Sequence, residues 1–347
     1  MPHRFALIGA GFIGAVHAAN LAAHPDVDLR LVVDIDADRA GALAGAHGAR
    51  ATTDLADAFD PDEVDAVYVA SSTDTHAEHL RRAADAGLAV LCEKPIDLDL
   101  AAATSTVAHV EAAGITAMVD FNRRFDRDHA ALRQVVLEGG VGDVELLQLT
   151  NRGPSVPPLT YIAVSGGQMR DQTVHFFDLA CWIAEAGTGD TTPVEVYAAG
   201  SALAEPRLVE HGDVDTSVVT LKLANGALVQ IDSVRRTGYG YDERIEAMGS
   251  TGLVESRRQQ SANVVRYGAA GLVGSPFHAG WFERVQPTYA AALDHFVGAL
   301  DGRHPVGPTL RDGLRAQAIA EAATASLRTN APQPITLPER VATGVTG

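Results

Sequence analysis

Short apolar runs alternate with amphipathic helical segments along the first third of the chain. The apolar runs span residues 4–8, 29–33, 65–72, 88–92 and 116–121. Each run is too short to be a buried helix, and the segments between them have helical periodicity, so the pattern predicts strands separated by helices. Such strands form a parallel, doubly wound sheet, which binds its ligand at the carboxyl ends of the strands.

Polar residues stand where these predicted strands end. They are Ser71, Ser72, Glu93, Lys94 and Asn122. Because the carboxyl ends of parallel strands meet at one edge of the sheet, we expect all five to border the ligand crevice, with Lys94 pointing into it.

The pattern changes after residue 122. The next elements are a helix near 127–138, a strand at 144–151, a loop at 152–167 and a helix at 168–187. The loop is rich in Pro, Ser and Gly, and its length is more typical of a functional loop than of a simple connection.

Alternating apolar and polar positions dominate the rest of the chain. They predict strands at 194–200, 214–223, 227–236, 243–249, 252–256 and 262–267. Asn225-Gly226 between two of these runs favours a tight hairpin, so we expect an antiparallel sheet built as a meander. Two Ala-rich helices are predicted near 286–300 and 311–328.

The sequence GAGFIG connects the first predicted strand to the first helix. In this context the glycines are typical of a dinucleotide site. Gly9 permits a tight turn, Gly11 lets a pyrophosphate approach the backbone, and Gly14 lets the helix pack on the strand. Phe12 and Ile13 complete the turn, and the helix N-terminus attracts phosphate.

Asp34 ends the second predicted strand. A carboxylate there accepts hydrogen bonds from the adenosine ribose hydroxyls and repels a 2′-phosphate. The next arginine is Arg39, too far along the chain to suggest a phosphate site. The sequence therefore favours NAD over NADP as cofactor.

A chain of 347 residues is longer than one hydrophobic core usually supports. We expect an α/β protein with a Rossmann NAD-binding domain at 1–122. An α+β domain with a large, mainly antiparallel open sheet follows at 123–338, for substrate binding and oligomerisation, and residues 339–347 form a tail. The helix at 311–328 is expected to pack back on the first domain.

The formal net charge of −17, from 27 Lys and Arg against 44 Asp and Glu, disfavours nucleic acid and anionic membranes as partners. Both cysteines, Cys92 and Cys181, lie in apolar runs and are expected to be buried thiols. No apolar stretch is long enough to span a bilayer, and the first strand begins too early for a signal peptide. We expect a cytoplasmic protein with a small-molecule substrate.

Asp171, His175 and Asp178 have the spacing of one helix face. Three interpretations compete: a surface helix with an Asp–His pair, a metal site, and an acid–base pair in which a carboxylate orients an imidazole. Helical spacing alone seldom closes around one ion, so no metal is predicted. A dinucleotide fold with Lys94 at its crevice favours the acid–base pair.

Four sequence stretches together resemble the glucose–fructose oxidoreductase/inositol dehydrogenase (Gfo/Idh/MocA) family. They are GAGFIG, SSTDTHAEH (71–79), CEKP (92–95) and MRDQTVHFFD (169–178). The resemblance runs along essentially the whole chain. Two further stretches, DFNRRFD (120–126) and RRTGYGYDERIEAMGSTG (235–252), are similar to the inositol 2-dehydrogenase branch.

The resemblance implies roles for individual residues. Lys94 would bond the reacting hydroxyl, Asp171 would hold and tune the site, and His175 would be the general base. The peptide bond between Lys94 and Pro95 would be cis. The residues expected to line the polyol pocket are Lys94, Asn151, Asp171, His175, Asp178 and Tyr241. Those expected beside the cofactor, besides the glycine turn and Asp34, are Ser71, Ser72, Thr73, His76, Glu93, Lys94 and Asn122.

The implied activity is NAD-dependent oxidation of a secondary hydroxyl of a cyclic polyol, with an inositol as the first choice. Phe176 replaces an acidic residue that many inositol dehydrogenases have there, and residues 151–158 match no known polyol set. A pyranose or another cyclitol, an NAD-recycling glycosidase and a non-catalytic sensor therefore remain as alternatives. The family also implies a homo-oligomer, a dimer or a tetramer.

Overall fold

The computed structural model describes residues 1–269 and 271–338, which form two compact units. The first contains Met1–Asn122 and Thr288–Arg315, with Leu337 and Pro338; the second contains Arg123–Pro287 and Ala316–Thr336. This division differs from contiguous domains, because residues 288–315 pack with the first unit. The predicted tail at 339–347 lies outside the described residues.

The first unit is a parallel six-stranded sheet with helices between its strands. Its elements up to residue 122 are β1 His3–Ile8, α1 Phe12–Ala23, β2 Val27–Val33, α2 Ala37–His47, β3 Arg50–Thr52, β4 Ala66–Val69, α3 His76–Asp85, β5 Ala89–Cys92, α4 Leu100–Ala113 and β6 Ala117–Val119. The strand order β3-β2-β1-β4-β5-β6 is that of a doubly wound dinucleotide fold. The order reverses between β1 and β4, which places the ligand crevice at their carboxyl ends.

The central strands of the first unit are covered on both faces, whereas the edge strand β3 is largely exposed. All four residues of β4 are buried, and Phe5 of β1 packs edge to face on Phe296, with ring centroids 6.2 Å apart. This two-sided burial explains why the strands are continuous apolar runs rather than alternating ones. The predicted fold of the first domain is confirmed.

The second unit contains a seven-stranded mixed sheet. Its elements are α5 Arg127–Leu137, β7 Val144–Arg152, α6 Leu159–Ser165, α7 Gln168–Asp171, α8 Val174–Ala184, β8 Pro193–Ser201, β9 Thr216–Leu223, β10 Leu228–Val234, β11 Asp242–Gly249, β12 Gly252–Ser256, β13 Val265–Gly268, β14 Gly271–Gly274 and β15 Gln333–Pro334. Two long helices, α9 Trp281–Leu300 and α10 Leu310–Thr329, each contribute to both units.

The sheet of the second unit is not the simple meander that the sequence predicted. Its order is β12-β11-β7-β10-β9-β8-β15, and β7 pairs parallel with β10 while the other pairs are antiparallel. Strand β7 is central because Leu147 and Leu149 are fully buried on its inner face. The segment predicted as a strand at 262–267 instead contributes β13 to a separate hairpin with β14.

Within residues 1–269 and 271–338, the helices lack the combination of length and apolar character that crossing a membrane requires.

Candidate active site

The glycine turn between β1 and α1 has the geometry of a pyrophosphate cradle. Gly9 has φ +105°, and a Cβ there would lie 2.5 Å from the Ala70 carbonyl oxygen. A Cβ on Gly14 would lie 2.0 Å from the Gly9 carbonyl oxygen. Around Gly11, by contrast, no described atom beyond its chain neighbours lies within 4 Å of a Cβ position. Gly9 and Gly14 are thus required by the fold itself, whereas the space at Gly11 fits a ligand.

Asp34, at the end of β2, is hydrogen-bonded to the glycine turn. One carboxylate oxygen accepts the Ala10 backbone N–H at 2.7 Å, and the other accepts the Asp36 N–H at 2.9 Å. Each oxygen has a second lone pair, so the carboxylate can still accept hydrogen bonds from a ribose. Arg39 is bonded to Asp36 at 2.9 Å and is not positioned by this contact to bind a 2′-phosphate.

His76 joins the carboxyl ends of β4 and β5. Its Nδ1 lies 2.7 Å from the Pro95 carbonyl oxygen, and its Nε2 lies 3.1 Å from the Ser71 carbonyl oxygen. The Ser71 hydroxyl is bonded to Thr75 at 2.7 Å. The peptide bond between Lys94 and Pro95 is cis, as the resemblance implied. His76 therefore fixes the backbone that carries Lys94, a supporting role.

Thr73 begins the short 3₁₀ helix Thr73–Thr75, which precedes α3. Ser72 precedes it with an extended backbone and is exposed. Together with Ser71, these residues form the polar rim at the end of β4. This is the edge at which the fold binds a dinucleotide.

Two residues predicted beside the cofactor have their side chains inside the first unit. Asn122 is fully buried and donates from Nδ2 to the Thr288 hydroxyl at 2.8 Å. Glu93 is buried and lies 2.8 Å from His17 Nε2. Burial raises the pKa of Glu93, but the hydrogen bond and charge of His17 and the charge of Lys94 outweigh it, so the net shift is downward.

His17, in α1, was missed in the sequence and belongs to a buried polar cluster. Besides Glu93, its neighbours are Tyr68, whose ring stacks on the imidazole at 4.0 Å, and Asp120, which accepts the Tyr68 hydroxyl at 2.6 Å. Within the described residues, His17, Glu93 and Asp120 are close enough to be considered as metal ligands. The hydrogen bonds already present instead indicate a cluster that supports the carboxyl end of β5.

The predicted helix at 168–187 is interrupted between α7 and α8. The Gln168 carbonyl oxygen accepts both the Gln172 N–H at 3.1 Å and the Thr173 N–H at 2.9 Å, which widens one turn. The Thr173 hydroxyl donates to Ser233 at 3.1 Å. The Gln172 side-chain amide donates to the Val234 carbonyl at 3.2 Å. The interruption is therefore pinned to the end of β10.

Asn151, at the end of β7, holds the same interruption. Its Nδ2 donates to the Gln172 carbonyl at 3.1 Å, and its Oδ1 accepts from Gln172 Nε2 at 3.2 Å. Asn151 is buried, so its main contacts position α7 and α8.

The interruption separates residues that were predicted to share one helix face. Asp171 ends α7, His175 is half-buried in the first turn of α8, and Asp178 is buried. Arg124 donates to Asp178 through Nε at 2.8 Å and Nη2 at 2.5 Å, a bidentate pair. The pairing of Asp178 with Arg124 argues against one metal site formed by these three residues.

Asp171 is held by two neighbouring groups. The Tyr161 hydroxyl, from α6 in the predicted functional loop, donates to Asp171 Oδ1 at 2.7 Å. The guanidinium of Arg235 lies 3.6 Å from Asp171 Oδ2. Neither Tyr161 nor Arg235 was identified from sequence, because Tyr161 lies in the segment predicted as a loop and Arg235 is far from Asp171 along the chain.

Tyr241 and Phe176 are both buried. Burial and the nearby Glu243 raise the pKa of Tyr241, so its hydroxyl stays protonated at neutral pH. Phe176 is 1% exposed, and an acidic side chain at this position would have to enter the core. Phe176 is therefore a core residue in this structure.

Comparison with known proteins identifies the family. The sequence model of the GFO/IDH/MocA oxidoreductase family, with an NAD-binding Rossmann fold, matches residues 3–121, and the C-terminal domain model of that family matches residues 129–255. The chain belongs to the GFO/IDH/MocA family. The predicted family is thus confirmed, and with it the NAD-binding character of the Rossmann domain.

Relatives in this family match nearly the whole chain. The inositol 2-dehydrogenase of Rhizobium meliloti is 38% identical over 94% of this chain and 97% of its own length. The myo-inositol 2-dehydrogenase of Thermotoga maritima is 37% identical over 93% and 96%. A solved myo-inositol dehydrogenase from Corynebacterium glutamicum superposes with a TM-score of 0.90 at 35% identity, covering 97% of this chain and 99% of that one.

Membership in the GFO/IDH/MocA family makes the chain an oxidoreductase.

Proposed function

We propose that the protein oxidises a secondary hydroxyl of a cyclic polyol with NAD, and that the polyol is an inositol. The observation that carries this proposal is the position of three polar residues. Lys94 follows the end of β5 and precedes a cis-proline, and Asp171 and His175 stand on either side of the interruption between α7 and α8. The matching relatives are named as inositol dehydrogenases, which supports the choice of substrate.

The cofactor would be held by the glycine turn and by Asp34. The residues proposed to border it are Gly9, Gly11, Phe12, Ile13, Gly14, Asp34, Ser71, Ser72, Thr73, His76 and Lys94. The side chains of Glu93 and Asn122 are buried, so these two residues are proposed to support the cofactor-binding residues from within the first unit. NAD supplies the hydride acceptor when it is bound. We propose NAD rather than NADP because Asp34 would repel a 2′-phosphate.

The side chains of the protein would accept the hydroxyl proton and stabilise the negative charge that develops on the hydroxyl oxygen. Oxidation removes the hydroxyl proton as hydride leaves the same carbon, and a neutral His175 would accept that proton. Lys94 would bond the hydroxyl oxygen and stabilise its developing negative charge. Asp171 would hold the imidazole and favour its protonated form after transfer. Asn151, Asp178 and Tyr241 are proposed to shape the substrate site, the first two through Gln172 and Arg124.

We also propose that the protein is a cytoplasmic homo-oligomer. Cys92 and Cys181, both among the described residues, are buried thiols outside any disulfide, as expected in a reducing compartment. The outward face of the second unit's sheet carries large apolar side chains at the surface. They are Tyr197, Val218, Leu228, Met248 and Leu253. A second copy of the chain covering this face would bury them.

The test is absorbance of NADH after mixing protein with NAD or NADP and a panel of substrates: myo-, scyllo- and D-chiro-inositol, glucose and galactose. NADH formation with an inositol, lost in Lys94→Ala and His175→Ala, is the expected result. NADH with a pyranose alone would replace the substrate and keep the chemistry. Tightly bound NAD with no net NADH from any of them would contradict the proposal and favour an NAD-recycling enzyme or a sensor.

A further inference from the structure

A buried arginine lies directly after β10, beside Asp171. Arg235 is 2% exposed, and its backbone N–H donates to the Asp215 carbonyl at 2.7 Å. Its Nη1 lies 3.1 Å from Asp213 Oδ2, and its Nη2 lies 3.6 Å from Asp171 Oδ2. The guanidinium thus stands between two carboxylates that are far apart in sequence.

Asp213 and Arg235 hold opposite ends of α7. Asp213 Oδ1 accepts the backbone N–H of Gln168, the first residue of this four-residue helix, at 2.8 Å. Arg235 contacts the carboxylate of Asp171, the last residue. Because Arg235 and Asp213 also contact each other, the two form a clamp around α7. We call Asp213 and Arg235 the α7 clamp.

The α7 clamp also sets the charge around Asp171. Burying a carboxylate is costly unless an opposite charge and hydrogen bonds compensate it. The Tyr161 hydroxyl bonds Oδ1 of Asp171, and Arg235 lies near Oδ2, so both oxygens face a donor. Asp213 adds a second negative charge and retains the guanidinium at the site. Tyr161, Asp213 and Arg235 are the ionisable groups that these contacts bring to Asp171.

We propose that Arg235 is a positioning residue for the reaction: it fixes the orientation of the Asp171 carboxylate, with Asp213 as its anchor. This inference rests on the proposed function for the step in which Asp171 assists His175. The placement of the carboxylate itself does not depend on which alcohol is oxidised.

The chain offers a matched control for this proposal. Arg236 is the next residue, is exposed, and donates to the Ala204 carbonyl at 3.4 Å. Arg235→Met and Arg236→Met therefore remove the same group from adjacent positions, one buried beside Asp171 and one at the surface. Arg235→Lys retains the charge but loses the planar guanidinium.

Arg235→Met is expected to lower kcat by about 10- to 100-fold, the range seen when an outer partner of a functional group is lost. The KM for NAD should stay unchanged, since Arg235 contacts Asp171 and Asp213 in the second unit. Added guanidine should restore part of kcat in Arg235→Met. Arg235→Lys should fall between wild type and Arg235→Met, and Arg236→Met should match wild type.

An activity-independent measurement separates this inference from the proposed function. In protein with ¹³C-labelled Asp carboxyls, the signal absent from Asp171→Asn identifies Asp171. Its chemical shift should change in Arg235→Met, where the carboxylate loses the neighbouring guanidinium, and stay in place in Arg236→Met. If it does so while wild type forms no NADH, the proposed function fails and the inference stands. An unmoved signal, or an Arg235→Met variant with wild-type kcat, would overturn the inference.

Discussion

The two units hold their functional residues by different physical means. In the first, the proposed NAD cradle is backbone: the glycine turn follows β1 directly in sequence, and its shape follows from φ angles and missing Cβ atoms. In the second, α7 and α8 are held by side chains from β7, β10 and the loop before β9, namely those of Asn151, Ser233 and Asp213. The first arrangement can be recognised from a short motif, whereas the second depends on contacts between distant residues.

The largest expected effect is on kcat, and it distinguishes catalysis from cofactor binding. His175→Ala and Lys94→Ala should each reduce kcat by a factor on the order of 10²–10⁴, because each removes a group proposed to handle the proton or the developing charge. NADH affinity, measured by titration of NADH fluorescence, should change little in His175→Ala. His109→Ala is the control, since His109 pairs with Asp85 at the surface at 2.7 Å; a similar loss there would indicate a nonspecific effect.

Three glycine variants test whether the first unit binds NAD through the shape of its backbone. Gly14→Ala places a methyl group 2.0 Å from a carbonyl oxygen, so both Tm and NAD affinity should fall. Gly11→Ala meets no such contact, so its Tm without NAD should match wild type while NAD affinity drops by about tenfold or more, roughly 1.4 kcal/mol. Gly45→Ala, in an exposed part of α2, should bind NAD normally and be slightly stabilised. Normal NAD affinity in Gly11→Ala would contradict the cradle.

A smaller effect is expected at Asp34. Asp34→Asn removes the charge that would repel a 2′-phosphate, so the ratio of kcat/KM for NAD over NADP should fall by about tenfold. Asp36→Asn is the control, because Asp36 caps α2 and pairs with Arg39. The ratio of kcat/KM for NAD over NADP is measured at fixed polyol concentration. An unchanged ratio in Asp34→Asn would mean that other residues determine the choice of cofactor.

The smallest effect concerns acid stability of the first unit. Burial lowers the pKa of His79 from its ordinary value of 6.5 to about 4. Burial, with the charge of His304, lowers the pKa of His295 to about 4 as well. Between pH 4 and pH 6.5 these two histidines bind more protons in the unfolded chain than in the folded one. The stability that they contribute above pH 6.5 is therefore lost as the pH falls toward 4.

Thermal unfolding of His79→Gln at pH 7 and pH 5 tests this effect. The drop in Tm between the two pH values should be smaller than in wild type, since one titrating group has been removed. His109→Gln, at the surface, should retain the wild-type drop. An equal drop in His79→Gln would remove His79 from the explanation.

The fold of the first unit was largely predictable because each strand is a contiguous apolar run and GAGFIG identifies the turn. Its supporting side chains were not, since His17 contacts Glu93 across 76 positions. In the second unit, helical periodicity continued through 168–187 and concealed the interruption at Gln172 and Thr173. That interruption arises from hydrogen bonds to β10, and no local pattern encodes those.

The placement of β7 was missed for a related reason. Alternation identified the strand, but its parallel pairing with β10 is a long-range choice that periodicity does not specify. Arg235 was likewise part of a recognised stretch, yet its contact with Asp171 became visible only in the structure.

The most direct test of the central claim is the single-turnover rate of NADH formation from myo-inositol at saturating NAD, in wild type and His175→Ala. We expect hydride transfer in wild type and a rate lower by a factor on the order of 10²–10⁴ in His175→Ala, with NAD still bound. A wild-type rate in His175→Ala would contradict the assignment of His175 as the base.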